Sequence, residues 1–123
     1  MLSFEQFAHY EDANKGQFGL RAYRNNKLLT AVIIPTNAKK WFKVHISVFS
    51  LDKNEPLKGD VTFFLHDSYR PQKRTVKTSE GVAELEVDAR GAYTIGARVA
   101  HDGTRLELDL MTIPGGSRRF YKS

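Results

Sequence analysis

The feature that most constrains the fold is a ten-residue stretch, residues 61–70, with the sequence VTFFLHDSYR. Its first half alternates with a period of two and is rich in aromatic and β-branched side chains, which is typical of a strand. Because both sides of this strand carry bulky residues, we predict an interior strand of an all-β domain. The alternation stops at a polar group that begins at His66 and includes Ser68 and Tyr69, just before Pro71. The strand therefore brings an imidazole, a hydroxyl and a phenol to one rim of the sheet, where binding residues are common.

Similar alternation recurs along the chain, most cleanly between Trp41 and Ser50. The other segments with this pattern are residues 18–23, 28–34, 74–78, 83–88, 93–99 and 106–110. Asn25-Asn26 predicts a turn because Asn tolerates positive φ, and Asp102-Gly103 between two alternating runs is a strong hairpin signal. We therefore predict a β-sandwich of about seven or eight strands, with a small closed barrel as the alternative architecture.

The same alternation predicts which side chains face the core and which face solvent. The residues expected to be buried between two sheets are Phe42, Val44, Ile46, Phe63, Leu65, Leu85, Ile95, Leu106 and Leu108. The acidic residues expected to share one outer sheet face are Glu84, Glu86, Asp88, Glu107 and Asp109.

Three regions follow from these patterns. Residues 1–38 are predicted to form an N-terminal extension, with a short helix and a hairpin packed on the sandwich. The helix is indicated by a capping box that starts at Ser3. Residues 39–113 form the sandwich core, and residues 114–123 form a basic tail after Pro114-Gly115-Gly116 ends the regular structure.

Composition narrows the class of protein. The chain has 123 residues, enough for one domain with a real core. It has no cysteine, which excludes disulfides and thiolate metal sites. No signal-peptide pattern and no apolar run approaching roughly 20 residues is present, so we expect a cytoplasmic protein with no membrane partner. The net charge of +5 is consistent with acidic partners.

Catalysis and metal binding are not predicted. His66 and Ser68 could suggest nucleophilic chemistry, but no nucleophile elbow is visible. Asp67 is expected to point away from His66 if the strand continues. The four histidines have no ligand-like spacing. We therefore expect no enzyme activity, no metal and no cofactor.

Three stretches together resemble a YEATS domain, and in particular its prokaryotic relatives. They are WFKVHI at residues 41–46, VTFFLHDSYRPQKR at residues 61–74, and ARGAYTIGARVAHDGTRLELDL at residues 89–110. The resemblance implies an immunoglobulin-like sandwich that binds rather than catalyses, in a signalling or defence context. Eukaryotic members of the family read acylated lysines in a channel at one end of the sandwich.

The resemblance also implies which residues bind the ligand. His66 and Ser68 would be the polar pair, Tyr69 one aromatic wall and Tyr93 the floor. Gly91 and Ala92 would let the turn before Tyr93 approach closely.

Arg90 departs from the family pattern, because readers of acyl-lysine place an aromatic ring at that position. We hypothesise that the Arg90 guanidinium stacks on Tyr69 and favours a ligand with a carboxylate or phosphate. The alternative is that Arg90 turns into solvent and leaves a shallow groove.

A second class of function stays open beside the small-ligand or modified-side-chain reader. A basic patch could contact nucleic acid or an acidic protein at one edge, through phosphate contacts and ring stacking. The residues of this patch are Arg70, Lys73, Arg74 and Lys77.

Overall fold

The computed structural model describes residues 12–38 and 40–122. The strands in these ranges are β1 (Tyr23–Arg24), β2 (Lys27–Pro35), β3 (Phe42–Ser50), β4 (Asp60–Phe64), β5 (Lys73–Lys77), β6 (Val82–Ala89), β7 (Thr94–Val99) and β8 (Arg105–Asp109). A 3₁₀ turn (Leu110–Thr112) and a short helix, α1 (Arg118–Lys122), follow β8. No helix in the described ranges is long and apolar enough to cross a membrane.

The strands form two four-stranded antiparallel sheets that enclose one core. The first sheet has the order β1-β2-β3-β6 and the second the order β5-β4-β7-β8. In the first sheet β6 lies beside the antiparallel pair β2 and β3, and in the second sheet β4 lies between β5 and β7. This arrangement matches that of immunoglobulin-like sandwiches. The predicted sandwich is therefore confirmed, and the closed barrel is not the architecture of this chain.

The core forms because alternate residues of both sheets point inward. On β3 the side chains of Phe42, Val44, Ile46 and Val48 are buried, and Phe63 of β4 has no exposed surface. The predicted core residues are buried with one exception. Leu85 on the edge strand β6 is half-buried.

The first strand of the N-terminal hairpin is shorter than predicted. Asn25 and Asn26 have φ values of 52° and 64°, so the predicted turn is confirmed. The strand before it contains only Tyr23–Arg24, not residues 18–23. Leu20 has a φ of 61°, which takes the chain out of the extended conformation. β2 pairs with β3 along nine residues of each strand, so this hairpin extends the first sheet through hydrogen bonds. The helix predicted near Ser3 lies outside the described residues.

Glu107 corrects the expectation of a shared acidic face. Like Asp109, it lies on β8 in the second sheet, whereas Glu84, Glu86 and Asp88 lie on β6 in the first. Glu107 is also buried, and its two carboxylate oxygens accept the backbone N–H groups of Gly16 and Phe18 at 2.9 and 2.8 Å. The carboxylate thus holds an N-terminal segment on the outer face of the second sheet.

The packing of Phe18 shows why that segment fits closely. Its ring lies 4.8 Å from that of Phe64, measured between centroids. It also covers Gly96, where a Cβ atom would come within 2.4 Å of the Phe18 ring. Only glycine leaves room for this contact.

The C-terminal residues are basic, as predicted, but regular structure continues after Gly116. The helix α1 places Phe120 against Phe42, with ring centroids 5.1 Å apart, and Phe120 is fully buried. Arg118, Arg119 and Lys122 remain on the exposed side of the helix. A single buried aromatic therefore docks a segment that composition alone suggested was a free tail.

Candidate functional site

The first part of the site is a tight turn at the end of β4, which we call the His66 turn (residues 66–69). The strand ends at Phe64, and the backbone N–H of Tyr69 donates to the carbonyl of His66 at 3.0 Å. Leu65 N–H then bonds the carbonyl of Gln72 at 3.0 Å, so the chain turns back into β5. The Arg70-Pro71 peptide bond in this connection is cis.

His66 and Ser68, the polar pair that the resemblance implied, are in direct contact. His66 Nδ1 lies 2.8 Å from Ser68 Oγ, and the backbone N–H of Ser68 donates to the same nitrogen at 3.1 Å. Because a backbone N–H can only donate, Nδ1 acts as an acceptor here, and the hydroxyl of Ser68 is then a donor as well. The hydroxyl oxygen keeps its lone pairs for a ligand, and the Ser68 side chain is exposed.

Asp67 corrects one expectation, because its carboxylate does not point away from the imidazole. Asp67 Oδ1 lies 3.3 Å from His66 Nδ1. The reason is that residues 66–69 form a turn rather than a continued strand. Ser68 and Asp67 both contact the same ring nitrogen, whereas a catalytic triad needs the hydroxyl and the carboxylate on opposite nitrogens. The group therefore lacks the geometry of a triad.

Two tyrosines form the aromatic part of the site. The ring of Tyr93 lies 5.6 Å from Tyr69 and 5.8 Å from His66, between centroids. The Tyr69 hydroxyl donates to the backbone carbonyl of Asp88 at 2.5 Å. Burial raises the pKa of both phenols, so both stay protonated at neutral pH. Tyr69, the last residue of the turn, is half-buried, and Tyr93 is buried.

The second part of the site is the loop between β6 and β7, which we call the Arg90 turn (residues 90–93). Gly91 and Ala92 are half-buried, and Ala92 N–H donates to the carbonyl of Phe120 at 2.9 Å. The C-terminal helix thus supports this turn from behind.

Arg90 does not stack on Tyr69, so that prediction is wrong. Its guanidinium carbon lies 5.6 Å from the centroid of the Trp41 ring. The register explains this contact: Phe42 pairs with Ala89, so Trp41 and Arg90 are the next residues on the outer face of the same sheet. Arg90 is exposed, but it lies against a ring rather than free in solvent.

The cation beside Tyr69 is Arg74, which the sequence placed only in the basic patch. Its guanidinium carbon lies 5.7 Å from the Tyr69 ring centroid, and its Nε donates to the carbonyl of Pro71 at 3.2 Å. Since Phe63 pairs with Arg74, the Arg74 side chain leaves β5 on the inner side and reaches toward the site.

The predicted basic patch is divided by the structure. Lys73 and Lys77 lie on the outer face of the second sheet, opposite to the side taken by Arg74. Arg70 folds back, and its guanidinium donates to the carbonyls of Asp67 and Tyr69 at 2.5 and 3.0 Å. The four cations therefore do not form one surface.

Asp12 and Asn14 link the segments next to the two turns, and this contact was not predicted. Asp12 accepts the backbone N–H and the hydroxyl of Thr94, at 2.9 and 2.7 Å. Asn14 Nδ2 lies 2.9 to 3.1 Å from the carbonyls of Phe64, Leu65 and Thr94. In the sequence these two residues are ordinary members of a polar loop, so no local signal marks them.

The match to a family model covers the strands that build this end of the sandwich. The model describes the prokaryotic YEATS domain and matches residues 42–111, more than half of the chain. The matched range runs from the start of β3 through β8 and includes both the His66 turn and the Arg90 turn. No curated protein and no solved structure matches the chain. The chain therefore belongs to the prokaryotic YEATS domain family, which indicates a YEATS-like reader module.

Proposed function

We propose that this protein binds an acylated lysine, or a related small modified group, between the His66 turn and the Arg90 turn without catalysing a reaction on it. The observation that carries the proposal is the contact between His66 and Ser68, 2.8 Å between Nδ1 and Oγ, beside the Tyr69 ring. This arrangement orients one exposed hydroxyl next to a flat aromatic surface.

The chemistry of an acylated lysine fits these groups. Its amide has one N–H donor and one carbonyl acceptor in a plane. The Ser68 hydroxyl donates its hydrogen bond to His66, so its oxygen can accept the amide N–H. The Tyr69 ring offers a face on which a planar amide can pack.

Positive charges near the site favour an acylated lysine over an unmodified one. Arg74 lies over Tyr69, and Arg90 lies over Trp41 on the outer face of the first sheet. Both guanidiniums carry a positive charge and repel the ammonium of an unmodified lysine. Acylation removes that charge, so the repulsion acts against the unmodified form only.

The proposal of binding without catalysis is supported by the placement of Asp67 and Ser68. Both contact His66 Nδ1, so the imidazole cannot take a proton from Ser68 while Asp67 orients its other nitrogen.

The test is a calorimetric titration with three peptides of one sequence, carrying lysine, butyryl-lysine or succinyl-lysine. We expect at least one acyl peptide to bind more tightly than the unmodified peptide. Ser68→Ala should weaken that binding by about tenfold, as expected for the loss of one hydrogen bond.

Ser79→Ala is the matched control, because Ser79 is an exposed serine in the β5–β6 turn at the opposite end of β5. It should bind like the wild type. Equal binding of all three peptides, or unchanged binding in Ser68→Ala, would show that the site does not read acyl-lysine.

One observation favours a second candidate function, contact with nucleic acid or an acidic protein. The outer face of the second sheet exposes cations from three of its strands, and Glu107 on that face is buried. The cations are Lys73, Lys77, Arg98 and Arg105. Affinity that falls steeply with salt would favour this function, since a multi-phosphate contact releases counterions and a small neutral ligand does not.

A further inference from the structure

One side of the sandwich is open at both of its edge strands. β6 ends the first sheet, β5 ends the second, and the two strands lie beside each other across the core. Neither strand has a neighbouring strand on its other side within the described ranges. On the opposite side of the sandwich, β1 has only 2 residues, and on β8 the N–H of Glu107 donates to the carbonyl of Arg21 at 2.8 Å. The β5 and β6 edges are therefore the ones that can accept another strand.

On β5 the residues whose backbone groups face the open edge are basic or neutral. The carbonyl of Gln72, just before the strand, accepts the N–H of Leu65. The N–H of Thr78, just after the strand, donates to the carbonyl of Gly59, so the even-numbered residues of β5 face β4. The odd-numbered residues face the open edge, and their side chains are exposed. They are Lys73, Thr75 and Lys77.

On β6 the residues that face the open edge are acidic. The carbonyl of Asp88 accepts the hydroxyl of Tyr69, which lies outside the first sheet, so the backbone groups of Asp88 point away from β3. Backbone direction alternates along a strand, so Glu86 and Glu84 face the same way. Their side chains are exposed as well. One edge of the open side therefore carries positive charge and the other carries negative charge.

We propose that two copies of this chain associate side by side, with β6 of each copy paired antiparallel to β5 of its partner. A two-fold axis parallel to the strands makes both pairings at once, and each sheet then continues into the other sheet of the partner. The pairing is antiparallel because β5 and β6 run in opposite directions within one chain. Like charges oppose the pairing of either edge with a second copy of itself.

Both lysines of β5 meet a carboxylate in one register of this pairing. The two lysines and the two outer acidic residues are each four positions apart, so both ion pairs form together. The pairs are Glu84 with the partner's Lys77 and Asp88 with the partner's Lys73. Glu86 then faces an uncharged threonine and keeps its ion pair with Lys43, 3.2 Å from Oε1 to Nζ. The Glu84 side chain is 56% exposed although His45 Nε2 lies 3.6 Å away, so a lysine can reach it.

The apolar residues behind the two strands support the same contact. Leu85 on β6 and Val76 on β5 pack against the core but are only half-buried. A partner strand at each edge would cover them, and burial of apolar surface is favourable. The Tyr69 hydroxyl already occupies the carbonyl of Asp88, so strand pairing ends there. The two candidate sites of the dimer then lie at the same end, beyond the paired strands.

Sedimentation velocity of the full chain over a range of concentrations tests this inference. We expect the wild type to shift from monomer to dimer as its concentration rises. Glu84→Lys and Lys77→Glu should each weaken association by about tenfold or more, because each places like charges opposite each other in both pairings. Arg105→Glu is the matched control. It reverses an exposed charge on β8, at the other edge of the second sheet, and should associate like the wild type.

Mixing the two edge variants makes the test specific for this pairing. Glu84→Lys and Lys77→Glu proteins should form a mixed dimer of wild-type affinity, since each supplies the charge that the other needs in both pairings. One chain with both substitutions should also dimerise. A wild type that remains monomeric up to about 1 mM would overturn the inference. Single variants that dimerise normally, a mixture that stays monomeric, or growth beyond the dimer would overturn it too. None of these outcomes depends on the reader function.

Discussion

Replacing Phe63 by alanine should lower the free energy of unfolding by about 3–5 kcal/mol. Phe63 is fully buried in the middle of β4, with hydrogen-bonded partners in both β5 and β7. Neighbouring strands hold the backbone in place, so the structure cannot collapse easily into the space left by the ring. Urea denaturation with a fitted midpoint and slope measures this loss.

Phe64→Ala is the matched control for this prediction. Phe64 is the next residue on the same strand and faces the opposite side, where it is half-buried against Phe18. Because less surface leaves water on folding, its replacement should cost only about 1–2 kcal/mol. A Phe63→Ala protein that unfolds at the wild-type midpoint, or equal costs for both variants, would contradict the sandwich register.

Replacing Phe120 by alanine should affect both stability and binding. The ring is fully buried against Phe42, so its loss should cost about 3 kcal/mol, the lower end for aromatics, since a five-residue helix can undock instead of leaving a cavity. Undocking also removes the carbonyl that accepts Ala92 N–H. We expect weaker acyl-peptide binding in this variant, because the Arg90 turn loses its support.

Lys122→Ala tests whether this effect comes from the ring. Lys122 lies on the exposed side of the same helix and should change neither the melting temperature nor the peptide affinity appreciably. Phe120→Ala with normal melting would show that the C-terminal helix does not contribute to the fold. Comparable effects of both substitutions would show that the contribution is not specific to the buried ring.

The strands could be predicted from the sequence because their signal is local. In β3 and β4, the alternation of polar and apolar residues indicates which face of the strand each side chain occupies. This pattern can be recognised within one strand, without information about its neighbours. Phe18 shows the limit of this argument. It alternates with its neighbours like a strand residue, but Glu107 and Gly96 hold it on the outer face of the second sheet.

The site was predictable where its residues are close in sequence. His66 and Ser68 meet because they belong to one turn. The partner of Arg90 could not be foreseen, because Trp41 lies opposite only through the register of β3 with β6. Phe120 carries no periodic pattern around it, so its docking depends wholly on tertiary contact.

The most direct test of the reader function is a map of backbone amide shifts in ¹⁵N-labelled protein during titration with the succinyl-lysine and butyryl-lysine peptides. We predict that the largest changes fall on the His66 turn and the Arg90 turn, at Ser68, Tyr69, Gly91, Ala92 and Tyr93. The unmodified lysine peptide at the same concentration should leave these amides nearly unchanged. Shifts centred on Lys77, Arg98 and Arg105, or an equal response to the unmodified peptide, would contradict the assignment of this end of the sandwich as an acyl-lysine site.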